Sequence, residues 1–252
     1  MIKQFGIWLG SMWAAFAKEF NFVFIEDNRY QHIVKGFGNT LKITAGALVV
    51  GIIIGIIVAA IRSSYDKNKE AMAMHKGLSY YVFTVANAIC KVYLTIFRGT
   101  PIVVQLLIFY FVIFANAKNG VPVAIFAFGI NSGAYVAEIF RGGIMSIDGG
   151  QFEAGRSLGF NYLQTMRYII IPQMFKAVLP TLCNEFIALL KETSVAGYVT
   201  IRDLTMGGDI IRASTYSAFM PLIAVAIIYL VMVMILTWLV GKLERRLRND
   251  ES

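Results

Sequence analysis

The chain has 252 residues, of which 58% are hydrophobic and only 15% are charged, and its mean hydropathy is +0.66. Water-soluble domains usually carry about 25% charged residues, and the charges here cluster between long uncharged runs, which excludes a soluble globular enzyme. The net charge of +8 fits Lys and Arg gathered in the cytoplasmic loops of a membrane protein better than a nucleic-acid surface. No polar stretch exceeds about 30 residues, so a separate soluble domain has no room to form.

The N-terminal segment, residues 1–30, contains an apolar run over residues 5–17. That run is shorter than the about 20 residues that a spanning helix needs. Lys3 and Lys18 lie among apolar residues at helical spacing, which favours an amphipathic helix at the membrane interface, with a signal anchor as the alternative. The recurring apolar residues are Phe5, Trp8, Leu9, Trp13, Phe16, Phe20 and Phe24.

Five longer apolar stretches predict an all-α bundle of about five transmembrane spans. They are residues 43–61, 99–117, 122–142, 172–190 and 218–240. Gly51 and Gly55 in the first stretch form a Gly-x-x-x-Gly step that permits close helix packing. Residues 80–97 are moderately apolar around Lys91 and predict a membrane-surface helix or a shallow entry. Residues 199–217 predict a polar connection.

The distribution of basic residues predicts the orientation. With five spans, the basic segment 62–76, four further arginines and the basic C-terminal end fall on one side of the membrane. Short cytoplasmic loops collect Lys and Arg, so we expect the N-terminus outside and the C-terminus, with a short polar tail at 248–252, in the cytoplasm. The basic residues beyond 62–76 are Arg98, Arg141, Arg156, Arg167, Lys242, Arg245, Arg246 and Arg248.

Catalytic and metal-binding patterns are absent from the sequence. Gly241-Lys242 is followed by Leu243, so no nucleotide-binding loop is formed, and no Ser, His and acidic group follow a nucleophile pattern. The residues without metal-ligand spacing are Cys90, Cys183, His32 and His75. We therefore expect no enzyme activity and no cofactor bound by this chain. Energy for uphill transport would come from a partner or an ion gradient.

A polar segment over residues 153–172 separates the third and fourth stretches. Asp148 with Gln151, and Asn161 with Gln164, are spaced to cap two short helices joined at Gly159. The apolar residues of these helices could enter a cleft on a cytoplasmic partner, with Glu153 and Arg156 at its rim, or rest on lipid headgroups. These apolar residues are Phe152, Leu158, Phe160, Tyr162, Leu163 and Met166.

The spacing of this segment resembles the EAA motif of importer permeases of the ATP-binding-cassette type. Glu153-Ala154-Gly155, Gly159, Ile169 and Pro172 match it, while Gly155 replaces the third small residue and Ile171 replaces Leu. The resemblance implies that the segment couples to a separate ATPase subunit. The residues assigned to this coupling are Glu153, Ala154, Gly155, Arg156, Leu158, Gly159, Phe160 and Leu163.

A narrower resemblance, to the polar amino-acid branch of these permeases, covers about residues 36–247. Its motifs are residues 38–41, 98–101 with Gln105, 134–143, Asn184 and 190–194, and residues 195–197 depart from it. It implies a type I permease domain at 31–247 in a bacterial cytoplasmic membrane, importing a polar amino acid. It also implies a second permease subunit, identical or related, ATPase subunits that use ATP and Mg²⁺, and an external solute-binding protein. A gradient-driven carrier and a membrane-embedded enzyme are the alternatives.

Polar residues inside the spans are candidates for the substrate pathway, because each costs roughly 3 kcal/mol in lipid and is kept inside the bundle or beside water. Asn131, Tyr135, Glu138 and Gly142 share one helical face. An ammonium could bind Glu185, and a carboxylate could accept from amide donors. Alternatively, Glu138 pairs with Arg141 and Glu185 with a neighbouring Lys. The pathway candidates are Glu185, Asn184, Gln105, Glu138, Tyr135 and Thr100.

Overall fold

The computed structural model describes residues 2–74 and 77–249, which form helices and their connections. The helices are α1 (Ile2–Phe20), α2 (Tyr30–Met74), α3 (Leu78–Gly99), α4 (Ile102–Ile108), α5 (Gly120–Ser146), α6 (Gly149–Ser157), α7 (Tyr162–Thr165), α8 (Ile171–Glu192), α9 (Leu204–Thr215) and α10 (Phe219–Asn249). Short π-helical segments, Asn21–Ile25, Phe109–Ile113 and Met166–Ile170, extend α1, α4 and α7, and two 3₁₀ segments, Glu26–Asn28 and Thr193–Val199, complete the chain.

Helices α2 and α5 form the central pair, and they run in the same direction. A Cβ at Gly51 would lie 3.2 Å from Ser132 Oγ. A Cβ at Gly55, one turn further along α2, would meet Val136, one turn further along α5. The close packing predicted for this Gly-x-x-x-Gly step is therefore confirmed. Because the two helices are parallel, the chain between them crosses the bundle once in the opposite direction.

That return crossing is made by α3 and α4 together. Cys90 packs in one cluster with Ala137, while Phe97 O, further along α3, accepts from Asn131 Nδ2 at 2.8 Å, nearer the start of α5. The prediction of a span at 99–117 is wrong, because the α4 helix with its π turn ends at Ile113 and covers about 18 Å. Helix α3, predicted at the membrane surface or as a shallow entry, is itself long and apolar enough to span.

Two further crossings follow α5. Helix α8 is antiparallel to α5, since Gly143 near the end of α5 lies against Val178 and Ser132 donates to Glu185, further along α8. Leu190 at the end of α8 clusters with Val225 near the start of α10. The five alternating crossings are α2, α3–α4, α5, α8 and α10. Within the described residues, four helices have spanning length and composition: Tyr30–Lys67, Leu78–Gly99, Gly120–Ser146 and Phe219–Leu247. The polar α8 has the length but not the composition.

The charges of the basic segment 62–76 predicted a loop, but residues 62–74 are helical. Helix α2 continues through it to Met74 and has 45 residues, or about 67 Å. His32 lies in the first turn of α2. His75 and Lys76 lie outside the described residues.

The polar connection 199–217 contains a helix, α9, that packs tightly on the start of α2. The buried Asp203 caps α9 by accepting from Thr205 N at 3.1 Å and Met206 N at 3.0 Å. Leu204 N donates to Thr40 Oγ1 at 3.0 Å, and a Cβ at Gly207 would lie 2.5 Å from His32 O. We call this packing of α9 on α2 the outer hub. Because Gly207 has no Cβ, the backbones of α9 and α2 can approach each other closely.

Helix α2 begins at Tyr30, the last residue of the N-terminal segment defined from the sequence. In α1, Trp13 is 72% exposed, and its ring stacks on Phe16 at 6.0 Å between centroids. This aromatic stripe fits both alternatives, an interfacial helix and an anchor. The side chains of Phe5, Trp8 and Leu9 lie outside the described ones. Of the predicted tail, residues 250–252 also lie outside the described chain, and α10 continues to Asn249.

Candidate coupling segment and membrane-depth face

The connection between α5 and α8, residues 149–170, is here called the coupling segment. Asp148 Oδ1 accepts from Gly150 N at 2.6 Å and caps α6. Asn161 and Gln164 exchange two bonds of 2.9 Å, a complete capping box at the start of α7. Gly159 joins the helices with φ +79°, which a residue with a Cβ adopts only at a cost. The prediction of two capped helices joined at Gly159 is confirmed.

Gly155 holds α6 against α7 and does not lie on the outer surface. It is buried, and a Cβ there would lie 2.6 Å from both Cγ2 and Oγ1 of Thr165. The glycine that departs from the resembled motif is therefore required by this packing. The structure gives Gly155 this packing role, and its assignment to ATPase coupling stays a prediction.

The outer surface of the coupling segment carries two leucines, Leu158 at 69% and Leu163 at 75% exposed. Two residues that were expected on this outer surface, Phe152 and Met166, pack against other parts of the protein. Lys67 Nζ lies 3.3 Å from the ring centroid of Phe152 and covers it, and Met166 packs on the apolar cluster around Phe140. The remaining candidates, exposed or half-buried, are Glu153, Ala154, Arg156, Gly159 and Phe160.

A polar face lies between α5 and α8, on the side of the bundle away from α2. Helix α2 packs on Val136 of α5 and, through Ala59, on Met174 of α8. The side chains on the other side of both helices are exposed. We call this surface the α5–α8 face; its exposed residues are Tyr135, Gly142, Gln173, Ala177, Thr181, Asn184 and Lys191.

Tyr135 and Asn184 occupy the same depth on this face. Ser132, one turn before Tyr135, donates to Glu185, next to Asn184, at 3.0 Å. Glu185 is half-buried beneath the face. Among the described residues it pairs with this serine and with no lysine, so the alternative of a Glu185–Lys pair is wrong.

Glu138 is held by three arginines from three helices. Its carboxylate oxygens lie 2.6 Å from Arg62, 3.0 Å from Arg141 and 3.7 Å from Arg98. The i+3 pair with Arg141 was foreseen as the alternative to a pathway role and is confirmed. The partner Arg62, 76 residues away in sequence, left no signal in the local pattern.

Gln105 and Asn131 are buried and their amides are occupied. Gln105 Nε2 donates to Phe97 O at 3.0 Å, Thr100 O at 3.0 Å and Thr100 Oγ1 at 2.8 Å. Asn131 Nδ2 donates to Phe97 O and, at 3.0 Å, to Gln105 Oε1. Pro101 has no backbone N–H, so the helical hydrogen-bond pattern is interrupted between α3 and α4. The bonds from Gln105 and Asn131 satisfy the carbonyl groups that are left without a partner there.

These bonds give Gln105 and Thr100 a structural role, and their place in the substrate pathway stays a prediction. Gln105 is only 5% exposed and has no donor left to offer a carboxylate. The hydroxyl of the exposed Thr100 donates to Ile96 O at 2.8 Å. Both residues hold the break between α3 and α4.

Comparison with known proteins places this architecture in a family. Residues 51–249 match the model of the binding-protein-dependent transport system inner membrane component. The arginine transport system permease protein ArtQ of Bacillus subtilis is 34% identical over 230 residues, 87% of this chain and 94% of that protein. The glutamine transport system permease protein GlnP of Escherichia coli K12 is 33% identical over 221 residues, 86% of this chain and 93% of its own.

Solved structures agree with the fold. A chain in the crystal structure of an amino acid ABC transporter with histidines matches with a TM-score of 0.74 and 37% identity, over 88% of this chain and 98% of its own. An inward-facing MetNI methionine ABC transporter matches with a TM-score of 0.70 and 20% identity, over 85% of this chain and 95% of its own, which shows the shared fold alone. The chain belongs to the family of inner membrane components of binding-protein-dependent transport systems and is a transmembrane permease of the ABC importer type.

Proposed function

We propose that this permease moves a polar amino acid into the cytoplasm, driven by ATP hydrolysis on a separate ATPase subunit that uses Mg²⁺. The observation that carries the substrate class is the similarity, over more than four fifths of the chain, to proteins named as arginine and glutamine transport permeases. The chain itself is a non-catalytic subunit. Its expected partners are the ATPase, a second permease subunit and an external solute-binding protein.

The five alternating crossings support the proposed orientation. They put the end of α2, the coupling segment and the end of α10 on one side of the bundle. Because basic residues mark the cytoplasmic side, we assign that side to the cytoplasm of a bacterial cell and the start of α2 to the exterior. The basic residues on it include Arg62, Lys67, Lys69, Arg156, Arg167, Lys242, Arg245 and Arg246.

The coupling segment is the proposed contact with the ATPase. Leu158 and Leu163 are the proposed apolar anchors, since apolar groups exposed next to one another are typical of protein–protein interaction sites. Glu153 and Arg156 are exposed on α6 and set polar contacts around them. The two caps and Gly159 fix the shape of the segment, so that a displacement of the ATPase is transmitted to α5 and α8.

The substrate pathway is proposed to follow the α5–α8 face. Tyr135, Asn184 and Thr181 expose polar groups at membrane depth, where contact with lipid is costly. That cost is removed when the face borders water or a second permease subunit. Glu185 lies just beneath the face, and Glu138 lies at its α3 edge, both within reach of a substrate ammonium once neighbouring side chains move.

Reconstitution tests this function directly. The chain, purified with its associated proteins, is placed in lipid vesicles and uptake of a panel of amino acids is measured with and without ATP and solute-binding protein. We expect uptake of one polar amino-acid class that requires both. Uptake by the chain alone, driven by an ion gradient, contradicts the proposal and favours the gradient-driven carrier.

A further inference from the structure

A second polar recess lies between α2, α3 and α5, beside the α5–α8 face. It is an open cavity of about 440 Å³. Its lining residues are Arg62, Lys91, Leu94, Thr95, Arg98, Gly99 and Glu138. The guanidinium of Arg98 lies 5.7 Å from the ring centroid of Tyr135, so the recess opens at the edge of that face. We call it the basic recess.

The charges that line the basic recess do not balance. Three cations, Arg62, Lys91 and Arg98, surround one carboxylate, Glu138, which leaves an excess of two positive charges. The nearest other carboxylate, Asp66, is 3.6 Å from Arg141, which also bonds Glu138. The recess therefore holds cations without counter-charges at a depth where uncompensated charge is costly.

Each of the three cations has an unused donor. Among the described residues, the buried Nε of Arg62 has no hydrogen-bond partner, and Lys91 Nζ has no carboxylate within 4.0 Å. The shortest distance between Arg98 and Glu138 is 3.7 Å, which is too long for a hydrogen bond. An oxyanion placed between Lys91 and Arg98 would satisfy donors that the protein leaves open.

We propose that the basic recess binds an oxyanion, the carboxylate of the transported amino acid. The guanidinium of Arg98 offers a planar pair of donors suited to a carboxylate, and Lys91 adds a point charge. The carboxylate of Glu138, 23% exposed, supplies the opposite charge for the ammonium of a zwitterion. The phosphate of a lipid headgroup shares the oxyanion chemistry and is the second source that the experiment separates. The amino-acid assignment rests on the proposed function.

The test uses the assembled transporter in nanodiscs of phosphatidylcholine, with Lys91→Gln and Arg98→Gln as variants. Both side chains are exposed, so folding should not depend on them, and co-purification of the ATPase checks this. Lys176→Gln is the matched control, an exposed lysine on α8 that does not line the recess. Binding is measured for L-arginine and L-glutamine, and for agmatine, which is arginine without its carboxylate.

A carboxylate site predicts that each recess variant weakens binding of the amino acid that wild type binds by about tenfold, the loss expected for one charge-assisted bond. Agmatine binding should be the same in the recess variants as in wild type. The Lys176→Gln variant should bind the amino acid as wild type does. If wild type also retains phosphatidylglycerol in native mass spectrometry and the variants lose it, with amino-acid binding unchanged, the oxyanion is a lipid phosphate.

The proposal that the basic recess is an oxyanion site would be overturned by one result. In that result both variants bind the amino acid and retain phosphatidylglycerol as wild type does. The result is separable from the proposed function. A wild-type complex that transports and binds no amino acid contradicts the proposed function, while the lipid measurement still tests the recess. Normal transport with unaffected variants contradicts only the recess.

Discussion

The coupling segment and the α5–α8 face differ in how far their residues depend on distant partners. The caps at Asp148 and Asn161 bond backbone groups two and three residues away, and Gly159 needs only its own backbone. By contrast, Glu138 at the edge of the polar face bonds Arg62 from another helix, and the buried Gln105 bonds the backbone where α3 ends. Local geometry is thus fixed by neighbours in sequence, whereas the availability of a polar side chain is fixed by packing.

The largest expected effect tests the packing inside the coupling segment. The valine side chain of Gly155→Val would push α6 away from α7, because even a Cβ at this position would lie 2.6 Å from Thr165 and packed interiors have no space for it. We expect ATPase co-purification and uptake to fall at least about tenfold, with partial rescue by a second change, Thr165→Ala. Gly241→Ala, where no heavy atom lies within 4 Å, is the control. Normal uptake by Gly155→Val would show that the two helices need not stay in contact.

Leu163→Asp tests the outer surface of the same segment. Leu163 is 75% exposed, so the permease alone should keep its melting temperature, while the loss of an apolar anchor should weaken ATPase binding by about tenfold. Co-purification and substrate-stimulated ATP hydrolysis measure this. Unchanged ATPase binding, with weaker association of the segment with lipid, would favour the alternative that the segment rests on headgroups.

A pair of amide replacements sharpens the contrast between buried and exposed polar residues. Gln105→Leu removes the amide donor to Thr100 O and the oxygen that accepts from Asn131 Nδ2, while Phe97 O keeps its bond from Asn131. We expect a loss of about 2 kcal/mol in stability, seen as a lower melting temperature. Asn184→Leu, at the exposed α5–α8 face, should keep the melting temperature and change the KM for uptake. The reverse pattern would mean that Gln105 contacts substrate and Asn184 does not.

The last expected effect, a dependence of stability on pH, lies at the outer hub. Burial raises the pKa of Asp203 to about 6, against the opposing bonds from Met206 N and Thr205 N. The folded protein therefore keeps this proton between about pH 4 and pH 6 where the unfolded chain has lost it, and stability falls as pH rises through that window. Two pH units correspond to at most about 3 kcal/mol.

Thermal unfolding of Asp203→Asn and wild type between pH 4 and pH 7 measures this contribution. The advantage of wild type over the variant should shrink as pH rises and stay constant above about pH 6. Asp209→Asn, at an exposed pair with Arg212, is the control and should show no such trend. A difference between wild type and Asp203→Asn that does not vary with pH would exclude the titration of Asp203 in this range.

Several features followed from the sequence for identifiable reasons. Hydropathy indicated the bundle because a span needs a continuous apolar length, and it placed α5, α8 and α10 close to their observed bounds. It failed at α3, whose Lys91 lowers the apolar signal, and at α9, whose Gly207 and Gly208 suggested a loop. Those glycines instead let α9 approach α2 and α10, a contact that no local pattern encodes.

The sequence by itself determined that this is a helical membrane protein with a capped, two-helix segment between two spans, because hydrophobic length, helix caps and a glycine turn act over a few residues. Only the tertiary structure decided which polar groups are free. The amides of Gln105 and Asn131 are bonded inside the bundle, while Asn184 is exposed and Lys91 has no counter-charge among the described residues. The reason is that hydrogen-bond partners and counter-charges come from other helices, 26 to 76 residues away for the bonds of Asn131 and Glu138.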